Sequence, residues 1–274
     1  MDPPILGDFP QLVTSFRRQL QFYLRTWRFV GLLLFVGIVS IVVFAVQLYF
    51  GASRITEGSD AAQYLSGYLS NIGTTVILVA AFLGGDAIAM DFGGATGYFM
   101  LVQPVRRVVL LLGRFAAAVV AAAVIGLTYV VIALLATSYF FGAGSIPWAG
   151  VAVALGLLVL FLLGAVAVAF FFSSFFKSPA ISIILTVLIL WLGFSIVTGV
   201  LEVAGIEPWF SLLYAGDGVA LALLPSYPHA QVSRDGFGGS FEPYLWESAV
   251  ISVAYLVVFL FLSVVLYNLK ESKG

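Results

Sequence analysis

Residues 115–141 read FAAAVVAAAVIGLTYVVIALLATSYFF, a run without a single charged side chain. A helix of this length extends about 40 Å, which is more than the roughly 30 Å of hydrocarbon in a bilayer. The whole chain is 62% hydrophobic and 9% charged, against about 45–50% and about 25% in soluble domains. The run and the composition together predict an all-α integral membrane protein.

Five other apolar runs are long enough to cross a bilayer. The six predicted spans are residues 29–50, 72–90, 115–141, 149–172, 180–201 and 248–268, in one transmembrane domain that covers residues 1–274. A further apolar stretch, Trp209–Leu224, carries Gly216, Asp217 and Gly218 at its centre. It is too short and too interrupted to cross. We therefore expect re-entrant helices within an extracellular segment, residues 202–247, before the last span.

The basic residues predict the orientation of the chain. With the N-terminus inside, ten of the 12 Lys and Arg residues fall in inner segments, and only Arg54 and Arg234 fall in outer loops. Such a bias is typical of cytoplasmic loops, so both termini are predicted to be cytoplasmic. The acidic residues lean to the outer side. The chain has no cysteine, which excludes disulfides and thiolate chemistry.

The segment before the first span, residues 9–28, has apolar residues at helical spacing and arginines largely on the other side. Its predicted interfacial residues are Phe16, Arg17, Arg18, Leu20, Arg25, Trp27 and Arg28. This pattern predicts an amphipathic helix that lies along the inner interface of the membrane, with its arginines among anionic lipid headgroups. Membrane lipid is therefore an expected partner.

The inner loop between the second and third spans is the most informative motif. Asp91 leaves the membrane, a glycine-rich turn follows, and Thr96–Gln103 are predicted to form a short helix that Pro104 ends. Arg106 and Arg107 precede the third span. A short helix held between two spans is suited to binding a cytoplasmic partner, because its movement must move both spans.

This arrangement resembles the permease subunits of type-2 ATP-binding-cassette (ABC) transporters. That family has an N-terminal elbow helix, a short coupling helix after the second span, and re-entrant helices before the last. The matching positions are Asp91, Gly94, Thr96, Gly97, Pro104, Arg107, Gly113 and Arg114. The chain departs from the pattern in two ways: the family usually has Glu near the position of Asp91, and Leu where this chain has Gly97.

The resemblance implies that a separate ATPase subunit docks on a coupling segment, residues 93–107. The implied docking residues are Asp91, Gly94, Thr96, Gly97, Tyr98, Met100, Pro104, Arg106, Arg107 and Arg114. It also implies a second permease chain, identical or related, in the plasma membrane of a prokaryote. The chain lacks G-x-x-x-x-G-K-[ST], so ATP and magnesium are expected on the partner ATPase and no cofactor on this chain. No nucleic-acid partner is expected.

Two alternatives of other classes remain. An ion-coupled carrier would use ionisable residues inside its spans, and here only Asp86 falls within a span, near its inner end. An intramembrane enzyme would need paired carboxylates or a metal site. Asp86 and Asp91 do not share a helical face, and His229 is the only histidine. No metal site is expected, and the apolar spans suit an amphipathic, lipid-like or drug-like cargo.

Overall fold

A computed structural model describes residues 7–58, 60–92, 107–224, 233–234 and 239–269. The helices in chain order are α1 (Asp8–Arg25), α2 (Trp27–Gly58), α3 (Ala61–Leu69), α4 (Ile72–Gly84), α5 (Ala89–Phe92), α6 (Arg107–Phe141), α7 (Trp148–Phe175), α8 (Pro179–Val187), α9 (Phe194–Val203), α10 (Leu212–Leu221) and α11 (Leu245–Leu269). A short 3₁₀ turn, Ala143–Ser145, precedes α7, and a π-helical turn, Leu188–Gly193, joins α8 to α9. Two-residue strands, β1 (Ser233–Arg234) and β2 (Gly239–Ser240), pair antiparallel before α11.

Six membrane-crossing units are present among the described residues, which confirms an all-α, multi-pass membrane protein. They are Trp27–Tyr49, Ala61–Gly84, Arg107–Phe141, Trp148–Phe175, Pro179–Val203 and Leu245–Leu269. Most of these helices begin before, or end after, the apolar runs from which the spans were predicted. Helix α6 begins at Arg107 rather than Phe115, because basic side chains at a helix end can extend to the interface while the backbone stays helical.

The second span differs most from its prediction of residues 72–90. It begins at Ala61, as two helices α3 and α4, and its helix ends at Gly84. The α3–α4 unit and α7 form the centre of the bundle, since 61% of the most apolar 18-residue stretch of each is buried. In α2, in the α8–α9 unit and in α11, only 17% of the corresponding stretch is buried. These helices therefore present apolar side chains outward, as expected for helices that contact lipid.

Small residues allow the central helices to approach closely. A Cβ at Gly84 of α4 would come 2.7 Å from the Cβ of Ala169 in α7. A Cβ at Gly164 of α7 would come 3.0 Å from the carbonyl oxygen of Ser252 in α11. Larger side chains at either glycine would force these helices apart.

The two ends of the bundle differ in charge. We call the end that carries α1 the α1 end, and the opposite end, where α7 and α11 begin, the far end. Most basic residues of the described part of the chain lie at the α1 end: Arg17, Arg18, Arg25, Arg28, Arg107, Arg114 and Lys177, whereas Arg54 of α2 and Arg234 of β1 lie toward the far end. Acidic side chains of the far end are those of Asp60, Glu202, Glu207, Asp217, Glu242 and Glu247.

Helix α10 is re-entrant. Helix α9 ends at Val203, and Gly205 follows with a left-handed φ of 73°, which glycine adopts without strain. The chain then returns to the middle of the bundle, where the hydroxyl of Tyr255 in α11 donates to the carbonyl of Phe210 at 2.8 Å. Helix α10 runs back toward the far end, where Leu223 approaches Gly150 near the start of α7. This is the geometry predicted for Trp209–Leu224.

Candidate functional site

The second span breaks at the α1 end of the bundle. Helix α4 ends at Gly84, and helical structure resumes at Ala89. A Cβ at Gly85 would come 3.0 Å from Cγ1 of Ile183 in α8, so glycine lets α8 pack directly against the break. The four residues between the helices leave backbone groups without partners in their own helix.

A serine of α7 satisfies two of these groups. The Oγ of Ser173 accepts hydrogen bonds from the amides of Ile88 and Ala89, both at 2.9 Å. Ser173 is completely buried, and a buried amide without a partner costs about 1–3 kcal/mol. This one hydroxyl therefore holds the start of α5 against the end of α7.

Side chains of α6 and α1 bind two carbonyls of the break. Arg114 of α6 donates to the carbonyl of Ala87 at 3.0 Å, and the hydroxyl of Tyr23 in α1 donates to the carbonyl of Leu83 at 2.6 Å. Both side chains are buried, with exposed fractions of 5% and 3%. Three different helices thus bind the backbone where the second span ends.

An ion pair adds α2 to the same junction. Nη1 of Arg28 lies 2.5 Å from Oδ2 of Asp86. The Asp86 side chain is 4% exposed, whereas that of Arg28 is 58% exposed. Oδ1 of Asp86 has no hydrogen-bond partner among the described residues. Arg28 therefore supplies the charge that compensates a buried carboxylate, and we call the set Tyr23, Arg28, Asp86, Arg114 and Ser173 the junction.

Helix α1 packs against the bundle. The Oγ of Ser15 donates to the carbonyl of Leu110 at 3.0 Å, and a Cβ at Gly113 would come 2.7 Å from the Cβ of Ser15. Gly113 thus lets α1 lie directly on α6. Phe16 and Leu20 are half-buried against the core, which differs from the predicted acyl-facing position.

The outward surface of α1 still has an apolar and a basic side. Phe9 is 76% exposed and Val13 is 44% exposed, and the exposed Arg18 and Arg25 lie on the other side, whereas the exposed Arg17 lies one turn after Val13. Trp27 and Arg28, predicted within this helix, belong to α2. The reason is Thr26, which is extended with φ −88° and ψ 132° and ends α1 at Arg25.

The predicted docking residues are mostly outside the described part of the chain. This applies to Gly94, Thr96, Gly97, Tyr98, Met100, Pro104 and Arg106. Asp91 lies in α5, and Arg107 is the first residue of α6 and half-buried. Arg114 differs from its predicted role at a docking surface, because its side chain is buried and binds the Ala87 carbonyl.

Sequence reasoning missed two members of the junction. Tyr23 is one of the apolar residues at helical spacing in residues 9–28, and Ser173 lies in an apolar run without any local signal. Asp86 did carry a signal, because an ionisable residue in an apolar run indicates a specific partner. Among the described residues no group of three His, Asp or Glu could hold a metal ion, and His229 lies outside them.

The junction is suited to passing a movement from one helix to another. It ties α1, α2, α6 and α7 to the last residues before the segment 93–106. Packed helices respond to a displacement at one contact by moving as rigid bodies. A movement of that segment would therefore be passed to four helices at once.

These features define a multi-pass helical membrane protein with a broken second span. Residues 33–271 match the model of a family described as protein of unknown function (DUF2705), and the chain belongs to that family. A search among curated proteins found no match.

Proposed function

We propose that the chain is the transmembrane permease subunit of an ATP-binding-cassette transporter, which exports a substrate with energy from a separate ATPase subunit. The observation that supports this best is the junction. A transporter driven by a separate ATPase needs a place where a movement outside the membrane enters the helices. The break at residues 85–88 is such a place, because four helices bind its backbone or its carboxylate.

The coupling segment follows the junction directly along the chain. Helix α5 ends at Phe92, and α6 begins at Arg107. Residues 93–107 therefore connect the break in the second span to the start of the third. In the proposal the ATPase binds this segment, and closure of the ATPase pulls on α5 and α6 together, which rotates the spans as a unit.

The proposed orientation places the α1 end in the cytoplasm. The basic side chains of that end agree with the bias of cytoplasmic segments toward Lys and Arg. The exposed Phe9, Val13 and arginines of α1 would then lie among lipid headgroups of the inner leaflet of a prokaryotic plasma membrane. In this proposal ATP and magnesium are bound by the ATPase subunit, and this chain holds no catalytic site.

A second permease chain completes the proposed transporter. The weakly buried units α2, α8–α9 and α11 offer the surfaces on which two chains could meet. Closed two-fold assembly is the commonest symmetry for such pairs. The substrate in this proposal is amphipathic, lipid-like or drug-like.

The proposal is tested by the association of an ATPase with the coupling segment. The chain is purified under mild detergent from its native membrane, and co-purifying ATPases are identified by mass spectrometry. The double variant Tyr98→Asp and Met100→Asp is expected to lose the ATPase. The matched control Gln21→Asp, at an exposed polar position of α1, is expected to retain it. Retention of the ATPase by the double variant, or its absence from the unmodified chain, would contradict the proposal.

A further inference from the structure

Asp217 is the residue of α10 that the rest of the chain leaves uncovered. It is exposed, while its neighbours Gly216 and Gly218 are both buried. A Cβ at Gly216 would come 3.0 Å from the ring of Phe161 in α7, and one at Gly218 would overlap the side chain of Ser248 in α11. The two glycines are packed so tightly that the direction of the Asp217 side chain is determined.

The depth of Asp217 follows from its neighbours on α7. Phe161, the neighbour of Gly216, lies about 20 Å from Trp148 along the axis of α7. Leu157, the neighbour of Gly218, lies about 13 Å from Trp148 along the same axis. Helix α7 has 28 residues and is about 42 Å long, so it exceeds the roughly 30 Å hydrocarbon layer by about 6 Å at each end. Asp217 therefore lies at the depth of the hydrocarbon, on the far-end side of its centre.

The exposed surface of α10 is a narrow stripe. Leu213 and Leu221, one turn to either side of Asp217, are half-exposed, and the helix is otherwise mostly buried. Asp217 has no ion-pair partner among the described residues. A carboxylate at this depth is costly in lipid, and such residues face a water-filled cavity or a partner of opposite charge.

The surroundings of the stripe combine negative charge with apolar surface. Glu202 of α9 is close enough for its charge to act on Asp217. Leu213 and Leu221 supply apolar surface on either side of Asp217. Against the acidic side chains of this end, the described part of the chain has two basic residues there, Arg54 near the end of α2 and Arg234 of β1. A negative potential above apolar walls favours a molecule that carries one positive charge on an apolar body.

We propose that α9 and α10 line a water-filled recess at the far end, in which Asp217 binds the positively charged group of an amphipathic organic cation. That this cation is the transported substrate rests on the proposed function, whereas the recess and its binding of cations do not. Glu202 strengthens the attraction without being needed for contact. The two leucines of the stripe contact the apolar body.

The accessibility of the stripe is tested with cysteine variants, since the chain has no native cysteine. Leu213→Cys and Leu221→Cys are reacted in nanodiscs with a trimethylammonium and a sulfonate methanethiosulfonate reagent. Both variants are expected to react, and the cationic reagent about tenfold faster than the anionic one after correction for their rates with a free thiol. Adding Asp217→Asn should remove most of that difference. Ala220→Cys, at a buried position, is the unreactive control.

Two outcomes of the labelling would overturn the proposal. If neither stripe variant reacts with either reagent, the stripe faces lipid or another chain rather than water. If the cationic preference persists unchanged with Asp217→Asn, the charge of Asp217 does not act in the recess. Neither outcome depends on an ATPase, so the result is separate from the test of the proposed function.

Binding is measured directly with tetraphenylphosphonium, a single positive charge inside an apolar shell. Its dissociation constant for the purified chain in nanodiscs is expected to rise about tenfold with Asp217→Asn and to return toward the original value with Asp217→Glu. Glu242→Gln, at another acidic position of the far end, should leave it unchanged. Equal affinity of the unmodified chain and Asp217→Asn would overturn the proposal even if the chain proves to be an ABC permease.

Discussion

The two ends of this bundle hold their carboxylates in opposite ways. At the α1 end, Asp86 lies inside the protein and is paired with Arg28, and the backbone around it is bound by side chains of three helices. Toward the far end, Asp217 lies nearer the centre of the bundle and faces outward without a basic partner among the described residues. The first arrangement holds helices together, and the second leaves a charge available to something outside the chain.

This comparison predicts that the same kind of substitution has unequal effects at the two ends. Changes at the junction should cost folding stability, because they leave buried groups unpaired. Changes at Asp217 should alter binding and leave stability nearly unchanged, because its partner is not part of this chain.

The largest effect is expected for Arg28→Leu. It leaves the buried Asp86 carboxylate without a cation and should lower the free energy of unfolding by about 3 kcal/mol. Unfolding by sodium dodecyl sulfate in mixed micelles gives this quantity. The double variant Arg28→Leu and Asp86→Leu should recover most of the loss, since the charge is removed together with its partner.

Arg25→Leu is the matched control for that measurement. Arg25 is exposed at the end of α1, and its substitution should change the free energy of unfolding by less than about 0.5 kcal/mol. If Arg25→Leu and Arg28→Leu were equally destabilising, the ion pair would not contribute to holding α2 at the junction.

A smaller effect is expected for Ser173→Ala. Two buried amides, those of Ile88 and Ala89, lose their acceptor, so the same unfolding assay should show a loss of about 2 kcal/mol. Ser138→Ala removes a hydroxyl that donates to the Leu135 carbonyl of its own helix on an exposed surface and should be close to neutral. A neutral result for Ser173→Ala would mean that the break is held without this contact.

The smallest effect on stability is expected for Asp217→Asn. An exposed residue without an ion-pair partner should change the free energy of unfolding by less than about 0.5 kcal/mol. Asp86→Asn, measured beside it, should cost clearly more, because Arg28 then loses its charged partner. Similar losses for the two asparagine variants would remove the distinction between the ends.

The orientation of the ends can be measured independently. Ser272→Cys and Ser233→Cys place single thiols in the C-terminal tail and in the segment before α11. In intact cells an impermeant thiol reagent should label Ser233→Cys and spare Ser272→Cys, as the charge bias predicts. The reverse labelling pattern would place the α1 end outside the cell and would contradict the proposed docking of an ATPase there.

Much of this fold could be predicted because the bilayer imposes simple demands. A charge-free run such as Phe115–Phe141 has few alternatives to a membrane-spanning helix, and the Gly216-Asp217-Gly218 interruption correctly indicated a helix that does not cross. The junction could not be predicted in the same way. Ser173 and Ile88 are 85 positions apart, and a serine in an apolar run gives no local sign of which backbone it binds.

The errors at helix ends have a related cause. Apolar runs indicate where hydrocarbon lies, but a helix continues past them wherever its backbone hydrogen bonds can form, as α6 does from Arg107. Conversely, the second span was predicted to continue to Met90 because its side chains are apolar. Its helix ends at Gly84 because glycines and hydrogen-bonding side chains of neighbouring helices make a break possible.

The central claim, that this chain moves a substrate only when driven by a separate ATPase, is tested most directly in proteoliposomes. The purified chain is reconstituted with and without the ATPase that co-purifies with it, and uptake of tetraphenylphosphonium into inside-out vesicles is followed after addition of ATP and magnesium. We predict ATP-dependent uptake only when both proteins are present, and its loss in the Tyr98→Asp and Met100→Asp variant. ATP-independent uptake by the chain alone, driven by an ion gradient, would contradict the account.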